Sequence, residues 1–240
     1  MNRLDYFMSK KDQNRFWWFQ RNDYLPQIYA NLSDDEFALL VEWFEETERL
    51  HMIGECNVPA MSAMLGFVEG NGIDAIVQCG HYAGYSSLLF GWALRRMGKK
   101  RGLFSIDINP DVTAFTQKWI EKAGLEEYVE VVVGDSADEA IAINLWNIFH
   151  SEPKMVFIDS SHQYAHTLRE LNLWYEALFP GGLIFLHDVS EFAQGFDSTD
   201  EGGVKTALYE WGRQESFRSE SMSFVGKIYQ DGCGLGVIQK

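Results

Sequence analysis

The stretch from Ile76 to Ser87, reading Ile-Val-Gln-Cys-Gly-His-Tyr-Ala-Gly-Tyr-Ser-Ser, constrains the fold of this chain more than any other. An apolar, β-prone run ends there in Gly80 and Gly84, and apolar residues at helical spacing, Leu88, Leu89, Trp92 and Ala93, follow at once. The pattern predicts a strand, a tight turn and a helix start. The first N–H groups of a helix have no internal partners and its dipole makes that end weakly positive, so the turn is expected to hold an anionic part of a cofactor.

From Asp74 onward, short apolar runs alternate with helical patterns, which predicts a doubly wound parallel sheet. Strands are expected around 74–80, 102–108, 129–134, 154–159 and 182–188, with helices around 85–98, 112–123, 137–149 and 164–179. A further helical pattern carries Val204, Leu208 and Trp211. Phe224–Tyr229 and Gly234–Ile238 then read as two antiparallel strands joined by Gln230-Asp231-Gly232. Ligands of such sheets bind beyond the carboxyl ends of the strands. Those ends are Gly80 to Ser86, Asp107, Gly134-Asp135-Ser136, Asp159 and Asp188.

The first 72 residues have another texture, and the chain divides into a helical N-terminal extension, 1–72, and a cofactor-binding domain, 73–240. Ser33 and Glu36 form a capping box ahead of Phe37, Leu40, Val41 and Phe44. Pro59 opens a second helix, with Met61, Met64, Leu65 and Val68 on one face, and Gly70-Asn71-Gly72 stops it. The aromatic run Phe16, Trp17, Trp18 and Phe19 reads as packing onto the main body or a dimer partner, or as a wall of the substrate pocket. Thirty-five acids against twenty bases leave a formal charge of −15, which repels phosphate backbones and argues against a nucleic-acid substrate. With no apolar leader and no run of eighteen apolar residues, a soluble, cytoplasmic protein with no membrane partner is expected. Cys56, Cys79 and Cys233 are scattered and read as reduced thiols.

A dinucleotide fingerprint needs a second glycine two residues after the first, so that the backbone can approach the pyrophosphate. That position is Tyr82. A phenol there disfavours a nicotinamide dinucleotide, while an amino-acid carboxylate can still use the turn and the Ser86 hydroxyl. Asp107 suits a ribose, since a carboxylate accepts from both hydroxyls.

Gly80 to Ser86, Ser105 to Asp111 and Val131 to Ser136 together resemble the class I S-adenosylmethionine-dependent O-methyltransferases of the catechol O-methyltransferase type. Phe157 to Tyr164 and Gly181 to Asp188 look more like the bacterial branch that methylates sugars and macrolides. The resemblance covers residues 74 to 215 and implies a Rossmann-like, doubly wound, mostly parallel seven-stranded sheet with an antiparallel C-terminal hairpin. It implies that Gln78, Gly80, Tyr82, Gly84 and Ser86 hold the methionine part of S-adenosylmethionine. Asp107 is expected on the ribose, and Asp135 with Ser136 on the adenine edge. Asp159 and Asp188 are implied as ligands of a divalent ion, magnesium first, and His162 as the general base acting on a small-molecule hydroxyl. Adjacent strands lie about 4.8 Å apart, so carboxylates ending both would need a cation between them.

Two departures stand out. Gln78 occupies a place where these enzymes carry an acid near the methionine ammonium, and Val189 stands where the catechol-type enzymes have a third, Asn, metal ligand. His187 is expected to point away from the ligand if Asp188 points toward it, because neighbours in a strand face opposite ways. The acidic, glycine-bearing segment 190–203 reads as a mobile lid, or its charges as plain solvation. The departures raise one alternative, a protein of this fold that binds the cofactor without transferring methyl; an NAD-dependent oxidoreductase is the other, which Tyr82 disfavours. A homodimer is expected from the aromatic run.

Overall fold

The computed structural model describes residues 2–20, 24–215, 224–229 and 232–240. Among the described residues, five α-helices precede the sheet: α1 (Arg3–Lys10), α2 (Trp17–Gln20), α3 (Gln27–Ala30), α4 (Asp34–Arg49) and α5 (Val58–Asn71). The capping box of α4 forms as the sequence predicts, with Ser33 Oγ accepting from Glu36 N–H and Glu36 accepting from Ser33 N–H. Asn57 caps α5, and Gly72, at φ 63°, ends it in the left-handed region that favours glycine.

Strands and helices then alternate: β1 (Ile76–Cys79), α6 (Tyr85–Met97), β2 (Leu103–Asp107), α7 (Pro110–Lys122), β3 (Val129–Val133), α8 (Glu139–Phe149), β4 (Met155–Ile158), α9 (Tyr164–Ala177), β5 (Leu183–His187), α10 (Gly203–Glu215), β6 (Phe224–Tyr229) and β7 (Leu235–Gln239). They form a seven-stranded sheet in the order β3-β2-β1-β4-β5-β7-β6. Only the pairings of β7 are antiparallel. Of the predicted hairpin connection, Gln230 and Asp231 lie outside the described residues.

Side-chain alternation sorts the sheet's apolar residues onto two cores. Ile76, Phe157 and Phe185 face one core with α4, α5 and α6, while Val77, Cys79, Val156 and Ile158 face the other with α9 and α10. The N-terminal helices share the first of these cores. Phe16, Trp18 and Phe19 are buried in it, so those members of the aromatic run are interior side chains. Two hydrogen bonds fasten the segment to the turn after β1: Trp43 Nε1 donates to Ala83 O at 2.7 Å, and the Tyr29 and Tyr85 hydroxyls meet at 2.6 Å.

The order reverses between β1 and β4, which run parallel and leave their carboxyl ends side by side with connections departing in opposite directions. Such a switch point opens a crevice.

Candidate active site

A cavity of about 580 Å³ occupies that crevice, a size usual for small-molecule sites. Its walls include Gly80, Tyr82 and Ser86 after β1, Asp107 at the end of β2, Asp135 and Ser136 after β3, and Asp159 and His162 after β4. Sequence-predicted residues from four strand ends thus meet in one place. Gln78, Gly84 and Asp188 do not line it.

The floor is the Gly80 turn. A Cβ on Gly80 would stand 2.0 Å from the Asp159 carbonyl oxygen, and φ is 87°, so close approach and conformation both demand glycine. Gln78 supports the turn from beneath. Its amide donates to Gly80 O and to Ser86 Oγ, and its Oε1 accepts from Ser87 and Ser105 hydroxyls, all within 3.2 Å. With every polar atom satisfied and no exposed surface, Gln78 holds the turn's shape.

Asp107 is oriented by the backbone around it. His81 and Tyr82 N–H groups donate to Oδ2 at 3.2 and 3.0 Å, and Asn109 N–H donates to Oδ1 at 3.0 Å. His81, which sequence reasoning passed over, is buried with Nδ1 3.1 Å from Ser105 Oγ and Nε2 3.0 Å from Thr113 Oγ1. Burial, partly offset by Asp107, pushes its imidazole down to about 4, so it stays neutral and ties the turn to β2 and α7.

At the β3 end Asp135 accepts from Ala137 N–H and lies 2.9 Å from His166 Nε2. Ser136 donates to the fully buried Glu170, which also accepts from Ser160 at 2.8 Å. Glu170 and His166 sit on α9, spaced four residues apart on one helix face. That spacing was visible in the sequence, but their facing β3 was not.

The β4–β5 end departs from expectation. Asp188 takes φ 62°, and this left-handed residue ends the alternation of β5. His187 therefore does not point away: its Nδ1 lies 3.2 Å from Asp159 Oδ1 and 3.3 Å from Asp188 Oδ1. His162 Nε2 stands 3.1 Å from Asp188 Oδ2 and 3.9 Å from Asp159 Oδ1. Burial lowers the His162 imidazole, but Asp188 and Asp159 outweigh it and hold the group above its ordinary range. Among the described residues, Asp159, His162 and Asp188 bring ligand atoms within 4.8 Å of one another, as do Cys56, Asp159 and His187. Two carboxylates with imidazole nitrogens at this spacing fit a small divalent ion. Val189 is buried among apolar neighbours and offers no ligand.

The 190–203 segment is fastened rather than purely solvated. Ser190 Oγ donates to Gly232 O at 2.7 Å, and the buried Asp197 accepts from Thr199 and Gly203 N–H. Sequence reasoning also missed Trp43, Glu55 and Cys56, cavity residues supplied by the N-terminal segment. All three cysteines are free thiols.

Residues 77–189 match the family described as a methyltransferase domain. The transmembrane O-methyltransferase of Homo sapiens is 30% identical over 127 residues, 52% of this chain and 42% of that protein. Catechol O-methyltransferase of Bos taurus is 38% identical over 65 residues, 27% of this chain and 23% of that protein. The chain spans less than half the length of these relatives. Among solved structures, an O-methyltransferase from Bacillus cereus in complex with SAH superposes with a TM-score of 0.67 at 16% identity, over 88% of this chain and 93% of that one. The O-methyltransferase TomG from Streptomyces achromogenes, involved in tomaymycin synthesis and solved with SAM, gives 0.66 at 14% identity, over 100% and 98%. At such identities the likeness is one of fold. Among the described residues no helix is long and apolar enough to cross a membrane.

Proposed function

We propose that the chain is a class I S-adenosylmethionine-dependent methyltransferase, a reading its methyltransferase-domain match over residues 77–189 and its fold support, and that it transfers a methyl group to a hydroxyl of a small molecule. One observation carries the reading: a backbone-oriented carboxylate, Asp107, and an imidazole paired with a carboxylate, His162, face the same cavity across the switch point. The first suits the ribose of an adenosyl group and the second suits a hydroxyl that must lose its proton.

S-adenosylmethionine supplies an electrophilic sulfonium methyl. Gly80 and the first turn of α6 would take its methionine part, Asp107 would accept from the ribose, and Asp135 would border the adenine. His162 takes the hydroxyl proton at a ring nitrogen, with Asp188 orienting the ring. The remaining work is to hold oxygen, methyl carbon and sulfur in line. A divalent ion held by Asp159 and Asp188 would lower the pKa of a chelated hydroxyl. The net charge of −15 and the free thiols accord with a small acceptor and a cytoplasmic setting.

The test is methyl transfer from labelled S-adenosylmethionine across a panel of sugars, polyketides and catechols. Turnover is expected with at least one class, lost on chelation and restored by magnesium or manganese. His162→Gln should lower kcat by about 100-fold or more while S-adenosylhomocysteine still binds. Cofactor binding without turnover on any hydroxyl would favour the non-catalytic alternative that Gln78 and Val189 raise.

A further inference from the structure

We propose that Glu55, on the loop between α4 and α5, is the carboxylate that receives the ammonium group of the methyl donor's methionine end. The inference rests on the methyl-donor reading above and assigns a binding residue within it. The donor carries one amino group that is protonated at neutral pH, and a buried ammonium needs an anionic or carbonyl partner. Gln78 cannot be that partner, since it lies beneath the turn with all its polar atoms engaged.

Four carboxylates line the cavity: Glu55, Asp107, Asp135 and Asp159. Asp107 is oriented at the ribose position, Asp135 is paired with His166 at the β3 end, and Asp159 is held against His187. Glu55 remains, and it lies on the methionine side. The residues just before it, Ile53 and Gly54, share the cavity wall with Tyr82, and the Tyr82 ring would touch a Cβ placed on Gly54 at 3.6 Å. The Glu55 charge also acts on the buried Tyr85 hydroxyl at the first position of α6. A methionine group docked on that helix start therefore has its carboxylate near α6 and its ammonium near Glu55.

The side chain is pre-ordered for this. Arg15 Nε bonds Glu55 Oε1 at 2.5 Å, and Gly54 N–H donates to Oε2 at 3.2 Å. Arg15 is itself fixed by Phe44 O and Thr47 Oγ1, each at 2.9 Å, and lies over the Phe44 ring. An ionised carboxylate offers about four lone-pair sites, so two bonds leave room for the ammonium. Arg15 and the Gly54 N–H thus aim the carboxylate without using up its capacity. This supplies from the N-terminal segment the charge that β1 lacks.

Calorimetric titration with two ligands tests the assignment. S-adenosylhomocysteine carries the ammonium, and 5′-methylthioadenosine lacks it. Glu55→Gln is expected to weaken the first by about 10-fold or more while leaving the second within about 2-fold. Equal weakening of both would make Glu55 a structural residue, and no weakening of either would remove it from the site; both outcomes overturn the proposal. Wild-type protein that binds neither ligand would instead overturn the methyl-donor reading. Glu55→Asp, which preserves the charge beside Arg15 but shortens its reach, should show the same selective loss and serves if Glu55→Gln does not fold.

Discussion

His81 shows how much of the site's shape depends on single buried groups. Its imidazole is held at about 4 against an ordinary 6.5, mainly by burial. Between those values the unfolded chain binds a proton that the folded chain refuses, so stability falls as pH drops from 6.5 toward 4. Going from pH 7 to 5 should cost about 2 kcal/mol through this group. Denaturant midpoints for wild type and His81→Gln check it: the variant should lose less stability over that interval, and equal losses would contradict the account. Gly80→Ala is the severer change. A left-handed alanine costs about 1–2 kcal/mol before the collision with the Asp159 carbonyl is counted, so a loss above about 3 kcal/mol is expected by the same measurement. The glycine's role was legible from its place between an apolar run and a helix. The direction of His187 was not, because strand alternation predicts it only while φ stays negative, and no residue type announces that Asp188 turns left-handed.

At the scale of elements, helix termini were the most legible features because their chemistry is local. Ser33 and Glu36 close α4 through reciprocal bonds. Glu36 also pairs with Arg95 on α6 at 2.6 Å, so the cap doubles as a link between layers. Ser33→Ala should cost about 1 kcal/mol in chemical unfolding, with cofactor affinity unchanged because the cap lies outside the cavity lining. A cost near zero would mean that Glu36 and Arg95 hold the helix start without the serine. Strand positions were equally readable from alternation and apolar runs. The fastening of 190–203 was not, since Asp197 reads as a solvated acid until its bonds to Thr199 and Gly203 are seen.

Across the whole molecule, the sheet order gathers residues from 80, 107, 135 and 159 at one crevice, and this convergence was predictable from the alternating pattern alone. The contribution of the first 72 residues was not. Trp43, Glu55 and Cys56 reach the cavity because the N-terminal helices pack into the core beneath α6, and long-range packing leaves no short motif. The central claim is that this crevice holds an adenosyl methyl donor with Asp107 on its ribose. Calorimetric titration with S-adenosylhomocysteine tests that most directly. Wild type should bind, and Asp107→Ala should bind about 10- to 100-fold more weakly, the effect of losing bonds to a charged acceptor. Absence of binding to the wild type, or an Asp107→Ala variant that binds as tightly, would contradict it.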